Sequence, residues 1–291
     1  MEQALNWLLE DAAPEIKYRA LVELLDAGRE SVEAVAARHQ LLNSPVIAMV
    51  VDKLKAGDKW DSYKSLCALA EFGLTRRDLA IDDEVEQLIE KTGFKMLCGE
   101  GLLLRNLVLL GYREHPRVSR EIPLALSLLK EDGGFQCISK NKKINDPRLP
   151  HKSCYRLTAS YLLLAAELYK NGEDLPQKDS LTGYYLNRQV LYRHDNPERF
   201  VVPEMAGTFY PLDPIKLGLQ MILYALAVLG EGNRPECDKA LSVLESKKDS
   251  EGKYLLDKAL SKPNHKIGKP GYSNKWITLY ALLIKKYRDR T

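Results

Sequence analysis

Three of the five cysteines in this 291-residue chain stand where metal chemistry would need them. Cys98, Cys137 and Cys154 each lie at or just before the start of an apolar, helix-like segment or in the loop leading to one, and His151 stands just ahead of Cys154 in PHKSC. Three thiolates and one imidazole make a tetrahedral Cys3His set, the closed coordination sphere of a structural zinc ion. Only His151 and Cys154 are close in sequence, so the fold has to carry Cys98 and Cys137 to them. Asp213, in YPLDPIK at the head of another apolar segment, is the alternate ligand, giving an open Asp/Cys/His sphere should Cys98 stand apart. The competing reading is that all three stay reduced thiols that pack or cap. Cys67, in KSLCALA, and Cys237, in PECDKAL, read as small core or surface residues, and five scattered cysteines make no disulfide framework.

A second kind of chemistry lies in the aromatics and cations. Tyr63, Tyr155, Tyr161, Tyr210, Tyr224, Tyr272, Trp276 and Tyr280 fall in or beside apolar segments, and aromatic faces stabilise cations or stack on apolar rings. Arg19, Arg105, Arg156 and Lys275 lie near helix starts, where converging N-termini favour an anion such as a diphosphate. The expected substrate pocket is therefore Tyr63, Arg105, Tyr155, Arg156, Tyr210, Asp213, Lys275 and Trp276; ordinary core packing is the alternative for each ring. His39, His115, His194 and His265 sit beside turn residues and read as solvated. No Ser-His-Asp order, P-loop or dinucleotide fingerprint appears. Glu100, Glu204 and Asp213 are the only acids considered for sugar hydrolysis, which requires two carboxyls about 5 to 9.5 Å apart.

These residues must be positioned by helices. Apolar residues recur at three and four along nearly the whole chain, and no stretch alternates at two for strand length, so the expected class is all-α. Six segments are apolar nearly all round: 14–28, 63–73, 99–111, 153–169, 211–230 and 274–287. Between them lie amphipathic segments such as DDEVEQLIEKTG and HPRVSREIPLALSLLKEDG. That alternation predicts an inner and an outer layer of helices. The turns KAGDKW (55–60), KEDGGF (130–135) and KDSEGKY (248–254) each combine charged residues, a glycine and a following aromatic. Two long loops, 138–152 and 254–273, precede inner segments and are placed to close over a ligand.

The turns and the segments DGGFQC (132–137), SCYRLTASYLLLAAEL (153–168) and GKPGYSNKWITLYALL (268–283) resemble the glutamine-and-tryptophan type repeats of the prenyltransferase and squalene cyclase superfamily, over roughly residues 44 to 288. The resemblance implies an α/α toroid of about six helical hairpins. A single domain over 1–291 is expected, with 1–43 as a HEAT-like N-terminal hairpin closing or capping the ring. An open HEAT-like solenoid is the alternative, since PEIKYRALVELLD would serve as a HEAT helix. The resemblance further implies a central cavity for an apolar, isoprenoid-like molecule, and a lyase or transferase activity if the protein is an enzyme. Protein prenyltransferases hold a zinc ion near the mouth of such a toroid. The Asp-x-Asp-Asp acid motif of triterpene cyclases is missing: the nearest string, DLAIDDE (78–84), reads as a helix start capped by Asp82 and Asp83. A non-catalytic scaffold for a protein partner and a sugar-processing α/α barrel remain as alternatives.

Composition narrows the partners. Lys and Arg number 43 against 40 Asp and Glu, a net charge of +3 spread along the chain, too little for affinity built on phosphate neutralisation, so no nucleic acid is expected. No segment approaches the roughly 18 consecutive apolar residues of a membrane span, and MEQALNWLLEDAAPE lacks the basic flank of a signal peptide. A cytoplasmic protein without a transmembrane segment is expected.

Overall fold

The computed structural model describes residues 2–56, 58–138, 153–210, 216–260 and 262–290. Among them run α1 (Glu2–Leu8), α2 (Pro14–Arg19), α3 (Val32–Leu42), α4 (Pro45–Ala56), α5 (Lys59–Glu71), α6 (Asp82–Lys91) and α7 (Cys98–Leu109). They continue as α8 (Pro116–Leu126), α9 (Tyr155–Lys170), α10 (Lys178–Leu186), α11 (Leu219–Val228), α12 (Asp238–Glu245) and α13 (Lys275–Arg288). The class is therefore all-α, as the periodicity predicts. Each apolar segment contains one inner helix: α2 with its π-helical continuation Ala20–Leu24, then α5, α7, α9, α11 and α13. Side chains set their starts: Asp58 accepts the amides of Trp60 and Asp61 at α5, and Asn274 those of Trp276 and Ile277 at α13. Left-handed glycines end four of them, Gly73, Gly111, Gly172 and Gly230. All of α11 is buried, whereas α6 buries only Val85, Leu88 and Ile89, which is the contrast two layers require.

The turn repeat recurs bond for bond in two places. Asp132 Oδ1 accepts from the Ser153 hydroxyl at 2.6 Å, the Phe135 amide donates to Thr158 Oγ1 at 3.0 Å, and the Cys154 amide donates to the Phe135 carbonyl at 2.7 Å. In the later copy Asp249 accepts from the Ser273 hydroxyl at 2.6 Å, the Tyr254 amide donates to Thr278 Oγ1 at 2.9 Å, and the Asn274 amide donates to the Tyr254 carbonyl at 2.8 Å. Cys154 and Asn274 are thus equivalent positions, each capping an inner helix. The turn at 55–60 differs, because Asp58 is itself the cap of α5; Gly57 lies outside the described residues.

Short strands depart from the periodicity reading. The segment 176–193 ends as a helix at Leu186, because Gln189 and Val190 take φ of 43° and 65°, which no right-handed helix can continue. The chain then folds as the antiparallel pair β1 (Tyr192–Arg193) and β2 (Asn196–Phe200), with the Tyr192 and Phe200 rings 5.1 Å apart. In the segment 211–230 the helix begins only at Leu219; ahead of it β3 (Phe209–Tyr210) pairs in parallel with β4 (Lys258–Ala259), and residues 211–215 lie outside the described ones.

Inner helices touch in chain order, α5 on α7, α7 on α9, α9 on α11 and α11 on α13, and α13 packs on α2 and its π-helical continuation. From α2, Arg19 reaches back to α5, donating to the Glu71 carbonyl at 3.0 Å and to its carboxylate at 2.6 Å. The axis between these helices holds a closed circuit of six alternating charges. Arg19 bonds Glu71 (2.6 Å), Glu71 bonds Arg105 (2.7 Å), and Arg105 bonds Glu167 (3.2 Å). Glu167 meets Lys170 (3.1 Å), Lys170 meets Glu23 (2.7 Å), and Glu23 returns to Arg19 (3.0 Å). Two hydroxyls complete it: Tyr280 of α13 donates to Glu71, and Tyr224 of α11 donates to Glu23 at 2.5 Å. All six inner helices therefore contribute to one polar knot. Burial opposes ionisation of Glu71, and Arg19 and Arg105 outweigh it, so its carboxyl is held below the ordinary carboxylate range.

Breaking a buried pair leaves an uncompensated charge, which costs about 3–5 kcal/mol. Arg105→Met, which leaves Glu71 only Arg19 and Tyr280 and Glu167 only Lys170, so that three carboxylates face two cations, is expected to lower unfolding stability by about that amount in a urea titration; a loss below about 1 kcal/mol would show that the circuit does not hold the inner helices together.

Candidate functional site

Cys98 is the first residue of α7, and Cys154 caps the neighbouring α9. Cys137 arrives from a non-helical segment through two backbone bonds: the Ile138 amide donates to the Met96 carbonyl at 2.9 Å, and the Cys154 amide donates to the Phe135 carbonyl. Cys98, Cys137 and Cys154 lie near enough to perturb one another's ionisation. All five cysteines are free thiols. His151 and Asp213, the two other expected ligands, lie outside the described residues. Among the described residues no group of three or more His, Cys, Asp and Glu is arranged as a metal site.

The environment divides these thiols. A hydrogen bond with Cys154, reinforced by burial, pushes the Cys98 thiol up. The same bond, with the amides of Leu157 and Arg156 and the Arg156 charge, pulls Cys154 down to about 6 against the cost of burial. Cys137 is raised by burial and by Cys154. Glu100, one turn into α7, accepts from the Lys95 amide and meets Lys59 at 3.4 Å.

The expected substrate residues do not share one pocket. Tyr63 is buried against Thr92, and Tyr155 spends its hydroxyl on the Val190 carbonyl at 2.5 Å. Trp276 stacks between Tyr210 (4.6 Å) and Phe72 (5.9 Å). The four expected anion-binding cations are all engaged by carboxylates: Arg19 and Arg105 in the axial circuit, Arg156 with Glu204 (3.2 Å) and Lys275 with Glu10 (3.0 Å). Arg105 is fully enclosed, so it presents no charge to a ligand. Arg156 lines a groove of about 500 Å³ with Met205, Phe209, Leu217, Ala259 and Pro270, at the heads of α9 and α11. Lys275 and Trp276 line a different one of about 440 Å³, beside Trp7, Pro45 and Ile267. Glu204 is tied to Arg156 and Glu100 to Lys59, so neither forms the carboxylate pair that sugar hydrolysis needs. Asp82 caps nothing: it accepts from Arg76 at 3.0 Å and from Tyr112 at 2.5 Å.

Other residues were not singled out by the sequence. Glu23, Glu71, Glu167 and Lys170 carry the axial circuit, and their signal was a charge set inside an otherwise apolar helix, as in ALAEFG and LLLAAELYK. His265 is a further correction, being 4% exposed rather than solvated. The segment around it, with Asn264 and Ile267 also buried, packs into the molecule. The His265 ring stands edge-on to Phe72 at 5.1 Å and to Tyr210 at 6.0 Å. Among the described residues neither ring nitrogen has a hydrogen-bond partner, nor does the Tyr210 hydroxyl.

The chain matches no protein-family model and no curated protein.

Burial, with Lys53 adding to it and Glu71 opposing, lowers the His265 pKa to about 4 from an ordinary 6.5. The unfolded chain then binds a proton that the folded chain refuses, so stability is complete above about pH 6.5 and is lost as pH falls toward 4, by about 3 kcal/mol. His265→Phe is expected to flatten that slope in urea midpoints taken from pH 7 to 4; an unchanged slope would show that His265 is not the group responsible.

Proposed function

We propose that the protein is an α/α toroid of the prenyltransferase and squalene-cyclase-like kind that holds a zinc ion at one mouth through Cys98, Cys137, His151 and Cys154, and takes a small molecule with an apolar body beside it. The mutual electrostatic influence of three thiols drawn from three separate segments supports this reading. Three thiolates select a soft divalent ion. The nearness of Cys98 to the other two favours it over Asp213 as the ligand. The succession of inner-helix contacts, returning from α13 through Arg19 to Glu71, supports a closed ring over an open HEAT-like solenoid.

A closed four-ligand sphere offers no position to a substrate, so the ion would act as a cross-link between the heads of α7 and α9 and the segment at Cys137. No acid, base or nucleophile is assigned to a lyase or transferase step. The groove beside Arg156 is the place for a ligand: its volume is in the range of small-molecule sites, Phe209, Met205 and Leu217 offer an apolar wall, and Lys216 and Lys258 offer charge to an anionic end. The filled axis favours a second reading, a non-catalytic scaffold for a protein partner, because the centre of the ring is spent on its own charges. No helix among the described residues is long and apolar enough to cross a membrane.

Elemental analysis of protein purified without added metal is expected to find about one zinc per chain, lost in Cys137→Ser and in Cys154→Ser. Cobalt(II) in its place should show the strong near-ultraviolet band of thiolate ligation, weakened in each variant. Zinc-free wild-type protein that also fails to take up cobalt would refute the metal reading.

A further inference from the structure

We propose that a cavity at the C-terminal ends of α5, α7 and α9 is a binding site for a small monocarboxylate, a molecule with one ionised carboxyl group on a short apolar body. The cavity has a volume of about 240 Å³. Val22, Ala70 and Leu109 give it an apolar wall, and Arg19, Glu23, Asp26, Arg29 and Lys170 surround it with charge. Cys98 and Cys154 stand at the heads of α7 and α9, whereas Leu109 and Lys170 end the same helices, so roughly 16–24 Å of helix separates the cavity from the thiols. Neither the zinc ion nor the groove beside Arg156 bears on it.

The hydrogen bonds around this cavity use up its acceptors and leave donors over. Glu23 Oε1 accepts from Lys170 at 2.7 Å and from the Tyr224 hydroxyl at 2.5 Å, and Oε2 accepts from Arg19 Nε at 3.0 Å. Asp26 Oδ1 accepts from Lys286 and Oδ2 from Arg290, both at 2.6 Å. Lys170 is likewise spent, on Glu23, Glu167 and the Tyr224 hydroxyl. Three side chains keep a donor that meets no acceptor among the described residues. Arg19, only 6% exposed, directs Nε to Glu23 and Nη1 to Glu71 and Tyr280, and makes no bond with Nη2. Arg29, exposed at the rim, spends Nη1 on the Tyr18 hydroxyl and the Gly73 carbonyl, which leaves Nε and Nη2. The Tyr18 hydroxyl accepts that bond and donates none. Guanidinium donors without acceptors favour an oxyanion, which they hold by charge-assisted bonds. Charge agrees, since three cations and two carboxylates line the cavity and a monoanion cancels the difference. A cationic ligand would find each carboxylate oxygen already bonded. A space below the roughly 300 Å³ at which drug-sized sites begin admits only a short chain or a single ring as the apolar body.

The full-length chain, carrying carbon-13 in its Ala, Val and Leu methyl groups and titrated with butyrate and with benzoate, tests this. Saturable shifts are expected at the methyls of Val22, Ala70 and Leu109. Benzamide and butylamine, the neutral and cationic counterparts, should bind more weakly by about tenfold or more, the effect of losing one charge-assisted bond. Arg29→Gln removes an exposed charge without touching the axial circuit, and should weaken the carboxylates by about tenfold. Val22→Phe fills the cavity from its apolar side and leaves every donor in place, so it should abolish the response at Ala70 and Leu109. Methyls that stay unmoved by both carboxylates would overturn the site. So would an amine or amide that binds as well as the acid, or affinity that survives both substitutions.

Discussion

The axial charge circuit is the constraint on which the rest of the structure depends. Six apolar helices brought side by side could slide or rotate against one another, because packed Leu and Ala side chains give little register. Three carboxylates and three cations alternate, with Arg19, Glu71, Arg105 and Glu167 buried and Glu23 and Lys170 nearer the surface, and they favour one register: each buried charge must face the opposite sign or remain unpaired in a low dielectric. Arg105 illustrates the point, since one guanidinium from α7 satisfies a carboxylate on each neighbouring inner helix. The Tyr224 and Tyr280 hydroxyls extend the same requirement to α11 and α13. Polar specificity thus does what the apolar core, running from Leu8 to Ile284, cannot do alone.

Helix ends here meet charges of matching sign. At the head of α9 the Leu157 and Arg156 amides favour negative charge on Cys154. Lys286 donates to the Glu23 carbonyl and Arg29 to the Gly73 carbonyl at 3.0 Å, near the C-terminal ends of the π-helical continuation of α2 and of α5. The protein thus supplies cations at helix C-termini and one acidic thiol, Cys154, at a helix N-terminus, in agreement with the field of the backbone.

Much of this was legible in the sequence, and the gaps have physical causes. Periodicity located all six inner helices, because burial on every side leaves a continuous apolar run. The short strands were invisible, since two-residue pairings such as Phe209–Tyr210 with Lys258–Ala259 carry no alternation to detect. His265 was misread because its neighbours are turn residues, and whether a turn faces water or the interior depends on contacts with Phe72 and Tyr210, far away in the chain. The aromatic residues were expected to line one pocket, yet ring type does not reveal whether a neighbour or a cavity covers its face. The charge inside each apolar helix was the overlooked clue: a lone Glu or Arg in such a setting implies a partner on another helix.

The equivalence of Cys154 and Asn274 bears on how chemistry is acquired in a repeated architecture. Both cap an inner helix after the same aspartate-held turn, and Asn274 there accepts two amides with its side-chain oxygen. A position whose ordinary work is to receive amide hydrogens already points its side chain at the shared mouth, so exchanging oxygen for sulfur turns a cap into a soft donor without disturbing the turn. The two hairpins that share this turn both carry such a position, so a reactive group can be introduced at either by a single exchange.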